Sequence, residues 1–297
     1  MSSKDQLQRF IFDQADVRGV LVGLEQSYLD ALERHDYPAP IQSLVGQMLA
    51  AVSLLSSTLK FDGRLSLQAR GDGAVSMLMA ECTRQNHLRG IARYEDELLL
   101  DNSTLPQLLG QGQLVITIEP DQGQRYQGIV PLDKETLAGC LEQYFAQSEQ
   151  LATRIMLCSG KSQAAGMLLQ ALPSNDADQQ VQDYSENWNR ISHLGSTLSE
   201  QELLELDNET LLFRLFHEEQ VRLYDANDLV FQCDCSKERC LGALRTLSDL
   251  ELQQMLDEQG VIEMDCQFCK SRYLIDQVEV EQLRMGVSDS SGSQSVH

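Results

Sequence analysis

Several kinds of residue are scarce in this chain, and each scarcity excludes a class of protein. Lysine and arginine number 23 against 45 aspartate and glutamate residues, a net charge of −22, and the basic residues are scattered singly. Such a chain repels phosphate backbones, so we expect no nucleic-acid partner. No uninterrupted apolar run approaches about 18 residues, so we expect no membrane partner. The opening MSSKDQLQRF has no apolar signal-peptide core, which predicts a cytoplasmic protein.

The sequence also lacks the short motifs of common enzymes. It contains no nucleophile elbow, no phosphate-binding P-loop and no dinucleotide-binding glycine fingerprint. Acidic residues are plentiful, but no spacing among them indicates a catalytic pair. We therefore expect that the protein is not an enzyme.

The chain does have enough apolar residues for a core, and its charge is unevenly distributed. Apolar residues make up 42% of the 297 positions, which is typical of globular domains. The net charge is −6 over residues 1–172, −10 over the 59 residues 173–231, and −6 over 232–297. We therefore predict an N-terminal domain over 1–175, an acidic, partly helical linker over 176–231, a small domain over 232–287 and a disordered tail over 288–297.

Helical and strand patterns are mixed in the first part of the chain. Apolar residues recur at helical spacing over 41–59, behind Pro40, which predicts a long amphipathic helix. The alternation over 65–69 predicts a half-buried strand, and the β-rich runs 114–118 and 126–130 predict a hairpin. Strands that come in hairpins rather than in strict alternation with helices favour an α+β fold with a mixed sheet and packed helices.

The acidic stretch contains a helix start followed by an apolar stripe. Ser199-Glu-Gln-Glu202 is a capping box, which predicts a helix. A charged helix with an apolar stripe needs a surface to cover that stripe, and packing against a domain is the ordinary interpretation. The alternative is a segment that can detach and offer the stripe to something else. The stripe consists of Leu211, Leu212, Phe213, Leu215, Phe216, Val221 and Leu223.

The eight cysteines fall into two groups. Three stand alone in apolar surroundings and are interpreted as buried core residues: Cys82, Cys140 and Cys158. The other five lie within 37 residues: Cys233, Cys235, Cys240, Cys266 and Cys269. In a reducing compartment, clustered cysteines bind metal or carry out redox chemistry more often than they form structural disulfides.

Two tight cysteine pairs separated by 30 residues predict a tetrahedral zinc site. Cys233 and Cys235 supply one pair of ligands, and Cys266 and Cys269 supply the other. Five cysteines compete for four places, and the two tight pairs leave Cys240 as a packing residue. Four thiolates leave no open coordination position, so we expect one structural zinc per chain rather than a hydrolytic centre.

The predicted zinc site also predicts a redox switch. A module of about 55 residues is marginally stable without a metal. Zinc–thiolate binding can contribute about 10–16 kcal/mol of folding free energy. Oxidation to disulfides would eject the metal, and a disulfide between near neighbours restrains an unfolded chain only weakly. Oxidation is therefore expected to unfold the module and to loosen the linker helix that leans on it.

Four motifs outside the cysteine region accompany the cysteine segments 233–240 and 262–269. They are Leu88-Arg-Gly-Ile91, Tyr126-Gln-Gly-Ile-Val-Pro-Leu132, Tyr144-Phe-Ala-Gln-Ser-Glu-Gln-Leu151 and Ala165-Gly-Met-Leu-Leu-Gln170. Together these segments span nearly the whole chain and resemble the bacterial redox-regulated 33-kilodalton heat-shock chaperone family. The resemblance implies an ATP-independent holdase of the oxidative-stress response, inactive while it is reduced and zinc-bound.

The resemblance also implies a course of activation. Oxidants with mild heat would release zinc and form the disulfides Cys233–Cys235 and Cys266–Cys269. The zinc domain and linker would then unfold, and the chain would form a homodimer. Unfolded client proteins would bind exposed apolar surface and later pass to an ATP-dependent foldase. The seven residues of the apolar stripe are our candidate client-binding residues.

Two alternatives assign a different function to the cysteines. A thiol–disulfide oxidoreductase would use Cys266-Gln-Phe-Cys269 as its redox pair, but the thioredoxin-like βαβ setting is missing and the second cysteine pair is unexplained. A zinc-ribbon interaction module would bind another protein. Nucleic acid is disfavoured there too, because a zinc tetrathiolate adds about −2 to the net charge of −6 over 232–297.

Overall fold

The computed structural model describes residues 4–58, 62–98, 104–173 and 181–284. Its contacts divide the chain into two compact units, Met1–Gln232 and Cys233–His297. The described part of the acidic stretch, 181–231, therefore belongs to the first unit. The disordered tail that we expected over 288–297 lies outside the described residues.

Strands and helices of the first unit are mixed along the chain. The strands are β1 (Gln6–Phe12), β2 (Val17–Leu24), β3 (Gly63–Gly71), β4 (Val75–Thr83), β5 (His87–Tyr94), β6 (Gly112–Pro120), β7 (Tyr126–Pro131), β8 (Thr153–Ser159), β9 (Ala164–Ala171), β10 (Val221–Leu223), β11 (Asn227–Asp228) and β12 (Val230–Phe231). The helices are α1 (Gln26–Leu32), α2 (Ala39–Ser56), α3 (Leu105–Leu109), α4 (Leu137–Tyr144), α5 (Val181–Gly195), α6 (Glu200–Glu205) and α7 (Asn208–Phe216). A 3₁₀ turn spans Asp96–Leu98, and a π-helical turn, Phe145–Glu149, extends α4.

Two six-stranded sheets form the framework of this unit. The first, sheet A, has the order β10-β1-β2-β9-β8, with β11 also paired to β1. The second, sheet B, has the order β12-β5-β4-β3-β6-β7. The strand pairs are antiparallel except for the parallel pair of β12 with β5. The predicted α+β fold is confirmed, and the predicted hairpin is the β6–β7 pair.

Helix α2 lies between the two sheets and fills the main core. It contacts β2, β8 and β9 of sheet A and β3, β4 and β5 of sheet B. Twelve of its 18 residues are buried, which leaves little of its surface to solvent. Pro40 lies in its first turn, where a missing N–H costs no helical hydrogen bond. The helix ends at Ser56, short of the predicted end at 59.

Length and composition alone would allow α2 to cross a membrane. Its 18 residues have a mean hydropathy of 1.3, and 67% of them are buried inside the unit. Core helices of folded domains meet the same criterion. Burial between two sheets on opposite sides explains this composition without a membrane.

The acidic stretch covers the outer face of sheet A. Helices α5 and α6 contact β9, and α6 also contacts β8. Phe216 of α7 meets Phe12 of β1 edge to face, with ring centroids 5.0 Å apart. Phe10, Leu169 and Leu211 belong to the same buried cluster. The ordinary interpretation of the apolar stripe, packing against a domain, therefore describes this structure.

The helix expected beyond Leu211 is shorter than the apolar pattern suggested. Helix α7 ends at Phe216, and Val221–Leu223 forms strand β10. Strand β10 pairs with Phe10–Phe12 of β1. The backbone N–H and C=O groups of β10 therefore find partners at the edge of sheet A, where a longer helix would have paired them internally. The last members of the stripe are therefore strand residues.

The second unit is smaller and is built around a two-stranded sheet. Its elements are α8 (Lys237–Leu244), α9 (Asp249–Gln259), β13 (Ile262–Asp265), β14 (Arg272–Ile275) and α10 (Gln277–Arg284). A capping box at Ser248 opens α9, and Gly260 caps its carboxyl end in the left-handed conformation with φ +73°. Six buried residues form its apolar core: Leu244, Leu252, Leu256, Ile262, Ile275 and Val280.

Truncation of Phe216 to alanine tests the packing of the acidic stretch on sheet A. Phe216 is 1% exposed, so Phe216→Ala leaves a cavity and should lower the free energy of unfolding by about 3–5 kcal/mol. The measurement is urea unfolding followed by the fluorescence of Trp188, the single tryptophan, which packs against the same cluster.

Phe213 offers a matched control one turn earlier on α7. It is 73% exposed, so Phe213→Ala should change the unfolding free energy by less than about 0.5 kcal/mol. Equal effects of the two substitutions would contradict the packing described here.

Candidate metal centre

The four cysteines of the two tight pairs come from two separate places in the second unit. Cys233 and Cys235 lie in the extended segment that leads into α8. The helix begins directly after them, with Ser236 as its N-cap accepting a hydrogen bond from the amide of Arg239. Cys266 and Cys269 lie in the turn that joins β13 to β14. The helical stretch between the pairs allows the chain to return to its starting point.

The turn that carries Cys266 and Cys269 is closed by backbone hydrogen bonds. The amide N–H of Lys270 donates to the carbonyl oxygen of Cys266 at 2.8 Å. The amide N–H of Cys266 donates to the carbonyl oxygen of Ser271 at 2.9 Å. Lys270 adopts the left-handed conformation, with φ +57°. These bonds define the backbone of the turn that carries both cysteines.

The four sulfur atoms lie close to one another. The Sγ atoms of Cys233, Cys235, Cys266 and Cys269 are all within 4.8 Å of each other. Sγ of Cys233 is 3.6 Å from Sγ of Cys266, and Sγ of Cys235 is 3.3 Å from Sγ of Cys269. A tetrahedron with metal–sulfur bonds of ~2.3 Å has sulfur–sulfur edges of about 3.8 Å. The arrangement fits a single tetrahedral metal ion.

Two hydroxyl groups lie against these sulfur atoms. Oη of Tyr273 on β14 is 3.1 Å from Sγ of Cys235, and Oγ of Ser271 is 3.2 Å from Sγ of Cys269. When the cysteines are thiolates, both hydroxyls can donate to sulfur. Hydrogen bonds of this kind orient metal ligands and tune the charge at the metal.

The surroundings of Cys269 favour its thiolate form. Burial alone would raise its pKa, but hydrogen bonds from Ser271 and from the neighbouring thiols of Cys235 and Cys266 outweigh burial and lower the pKa to about 6. Burial raises the pKa of Cys266. A thiolate is the form that binds metal and reacts with oxidants, so the cluster suits both processes.

Cys240 lies outside the cluster. It is on α8 and packs beside the small apolar core, next to Leu241. Burial, and then the charge of Cys235, raise the pKa of Cys240. The structure therefore groups the four cysteines that the spacing selected and leaves Cys240 in the packing position predicted for it.

The three isolated cysteines are buried, as predicted, in the first unit. Cys82, Cys140 and Cys158 are 1%, 0% and 3% exposed. Burial raises the pKa of Cys82 to about 11 and that of Cys158 to about 12. These thiols stay protonated at neutral pH and are closed to solvent, which disfavours their reaction with oxidants.

The setting of Cys266-Gln-Phe-Cys269 separates this unit from thiol–disulfide oxidoreductases. In those enzymes the CxxC pair follows a strand and opens a helix, whose N-terminus stabilises the thiolate. Here the pair lies in the turn of an antiparallel β-hairpin. The setting of this CxxC pair is therefore a hairpin turn rather than a strand–helix junction.

The seven candidate client-binding residues lie in the first unit, and most of them are covered. Four are buried: Leu211, Leu212, Leu215 and Phe216. Val221 and Leu223 are partly buried against the same cluster, and Phe213 is exposed. In this structure the stripe is therefore an internal packing surface.

Tyr273 and Ser271 are the parts of the site that sequence reasoning missed. Tyr273 sits in a short strand, where an aromatic residue usually indicates packing. Ser271 follows the cysteine pair by two positions and resembles an ordinary turn residue. Hydroxyl residues directly after a predicted ligand pair are the pattern that could have identified both.

Known proteins with similar sequences cover almost the whole chain. The profile of the family described as Hsp33 protein matches residues 5–276. The chain belongs to the Hsp33 family. A 33 kDa chaperonin of Shewanella woodyi is 50% identical over 278 residues, which cover 94% of this chain and 95% of the relative. A 33 kDa chaperonin of Pseudomonas aeruginosa is 48% identical over 299 aligned positions that cover both chains completely.

A solved structure of the same family shares the fold. The crystal structure of the 33 kDa chaperonin of Thermotoga maritima superposes with a TM-score of 0.78 and is 24% identical in sequence. The superposition covers 94% of this chain and 97% of that one. The architecture described here is therefore the Hsp33 fold.

Removal of one sulfur from the cluster should abolish tight metal binding. Cys233→Ser leaves three thiolates and an unbalanced site, so we expect less than about a tenth of the wild-type zinc content after dialysis against a weak chelator. Elemental analysis of the purified reduced chain gives the zinc content.

Cys240→Ser is the matched control, because the residue lies in the same unit but outside the cluster. This variant should keep one zinc per chain. Loss of zinc from Cys240→Ser, or its retention by Cys233→Ser, would show that the ligand set is different.

Proposed function

We propose that this Hsp33-family chain is a chaperone that binds unfolding client proteins without ATP and becomes active on oxidation. Four sulfur atoms within 4.8 Å of one another, in a unit whose apolar core is six side chains, carry the proposal. Relatives that cover this chain end to end are named 33 kDa chaperonin, which supports a chaperone rather than an enzyme.

In the reduced form, Cys233, Cys235, Cys266 and Cys269 would hold one zinc ion per chain. Four thiolates are soft donors and select zinc over calcium or magnesium, which prefer oxygen ligands. Bound zinc would contribute to the folding free energy of the unit. Its four thiolate ligands would leave no coordination position open for water or substrate. Tyr273 and Ser271 would donate hydrogen bonds to the thiolates and limit their reactivity while the metal is bound.

Oxidation would remove the ligands from the metal. Two molecules of peroxide accept four electrons from the four thiolates, which yields two disulfides and four hydroxide ions and sets the zinc ion free. The disulfides implied by the family resemblance are Cys233–Cys235 and Cys266–Cys269. The two shortest sulfur distances join Cys233 to Cys266 and Cys235 to Cys269 instead, so the pairing is itself part of the proposal.

Disulfides between such close neighbours would not replace the stabilisation lost with the metal. They close loops of only a few residues, and short loops remove little entropy from the unfolded chain. The six buried side chains of the second unit would then be left to oppose the conformational entropy of the unit. We propose that the unit unfolds as a result.

The apolar surface for clients would come from the acidic segment 176–231, acting as a movable linker. Its described part buries Leu211, Leu215 and Phe216 against the outer face of sheet A. Detachment would expose both partners of that contact, the stripe and the face of the sheet. Phe231 of β12 precedes Cys233 by only two positions, so unfolding of the second unit removes the anchor at the end of this segment.

Two further steps of the proposal rest on the resemblance alone. The oxidised chain would form a homodimer, which doubles the apolar surface offered to one client. Bound clients would later pass to an ATP-dependent foldase system, since a holdase without a nucleotide has no energy source for refolding.

Dilution of a chemically unfolded test protein measures the proposed activity. The chain treated with peroxide at mild heat should suppress light scattering at about one chain per client, and the reduced chain should not. The physical reason is that apolar surface becomes available only after metal loss. Equal suppression by the reduced and oxidised chains would contradict redox control.

A small disulfide substrate separates this proposal from the oxidoreductase alternative. A holdase with a structural metal should reduce such a substrate no faster than free cysteine does. Catalytic turnover, together with no suppression of scattering, would favour the enzyme.

A further inference from the structure

A cavity of about 200 Å³ lies between the two sheets of the first unit, at the carboxyl end of α2. Leu65, Ile116, Phe145 and Leu151 contribute an apolar wall, and Arg18 and Gln170 contribute a polar one. Gln170 and the segment 144–151 belong to two of the motifs that carry the family resemblance. Neither motif has a part in the cysteine cluster, so their convergence on one cavity needs its own explanation.

Arg18 brings a positive charge to this cavity, and the carboxylate of Glu149 also lines it, at the exposed rim. It lies on β2 directly opposite Gln170 on β9. Nε and Nη2 of Arg18 both donate to Oε1 of Gln170, at 3.1 and 2.6 Å. Gln170 is 1% exposed and neutral. Among the described residues, no carboxylate forms an ion pair with Arg18, and a guanidinium has five N–H groups of which these bonds use two.

A second arginine further destabilises the charged form of Arg18. Arg9 of β1 pairs with Val20, and Arg18 pairs with Ile11, so the two arginines occupy diagonal positions on the same face of sheet A. Burial first, and then the charge of Arg9, lower the pKa of Arg18. A half-buried cation that is also repelled by its neighbour is stabilised when an anion binds beside it.

The other polar groups at the cavity already have partners. The Tyr144 hydroxyl donates to Oε1 of Glu149 at 2.7 Å and shares a hydrogen bond of 3.1 Å with the Tyr126 hydroxyl. Glu149 is exposed at the rim, where water screens its charge. The hydroxyl of Thr58 donates to the carbonyl oxygen of Leu55. Arg18 is the polar group left for a ligand.

We propose that this cavity binds a small amphiphilic carboxylate. The carboxylate would form an ion pair with the guanidinium of Arg18 and accept hydrogen bonds from N–H groups that do not bind Gln170. The hydrocarbon part would pack against Leu65, Ile116 and Phe145. A volume of about 200 Å³ is below the range of drug-sized pockets, so the ligand is a short-chain acid rather than a long lipid.

Titration calorimetry of the reduced, full-length, zinc-loaded chain with hexanoate tests the proposal. We expect saturable binding of one hexanoate per chain. Hexan-1-ol has the same chain without the charge, and inorganic phosphate has charge without the chain, so each should bind at least about tenfold more weakly. Phosphate or hexan-1-ol binding as tightly as hexanoate would overturn the assignment, as would the absence of saturable hexanoate binding.

Two variants test whether Arg18 binds the ligand, one by removing its charge and the other by neutralising that charge. Arg18→Gln removes the cation, and Gln170→Glu gives Arg18 a carboxylate partner within the protein. Each should weaken hexanoate binding by at least about tenfold. Arg70→Gln is the matched control, because Arg70 is an exposed strand arginine outside this cavity, and it should leave binding unchanged.

The second variant keeps the test decisive if the first fails to fold. Gln170→Glu keeps the side-chain size and the acceptor for Arg18 and loses only the bond from Nε2 of Gln170 to the Thr153 hydroxyl, so its fold should survive. Undiminished hexanoate affinity in a folded Gln170→Glu chain would overturn the proposal, and so would an equal loss in Arg70→Gln.

Discussion

In the proposed function, the stability of the second unit depends on one interaction, the binding of a metal ion by four thiolates. Six buried apolar side chains are too few to offset the conformational entropy of a unit with three helices and a hairpin among its described residues. A tetrathiolate site can contribute about 10–16 kcal/mol, which exceeds the net stability of many domains. The fold of the unit would therefore be conditional on the chemical state of four sulfur atoms.

The same physical chemistry explains why oxidation would act on one part of the chain. Burial keeps Cys82 and Cys158 protonated and closed to solvent, with pKa values raised to about 11 and 12. Hydrogen bonds lower the pKa of Cys269 to about 6 in spite of its burial. The first unit has its own large apolar core around α2, in which Cys82 and Cys140 are packing residues. Under the proposed function, an oxidant would thus remove the stabilisation of the second unit and leave the first one folded.

Much of the fold could be predicted from sequence because its cause is local. Hydrophobic period indicated α2 and β3, the capping box at Ser199 indicated α6, and cysteine spacing selected the four clustered sulfurs. Contacts that depend on tertiary structure could not be predicted. The edge of sheet A converts Val221–Leu223 into a strand, and the β-hairpin places Tyr273 against Cys235. Cross-strand pairing likewise brings Arg18 to Gln170, 152 positions apart.

The most direct test removes the metal without oxidation, because metal binding, rather than disulfide formation, is proposed to stabilise the second unit. The reduced chain is treated with a strong zinc chelator, and amide hydrogen exchange is followed along the sequence. Protection should be lost in α8, α9 and the β13–β14 hairpin, while the amides of α2 and of sheet B should keep theirs. Full protection of the second unit after zinc removal would contradict this expectation, because the unit would then be stable without the metal.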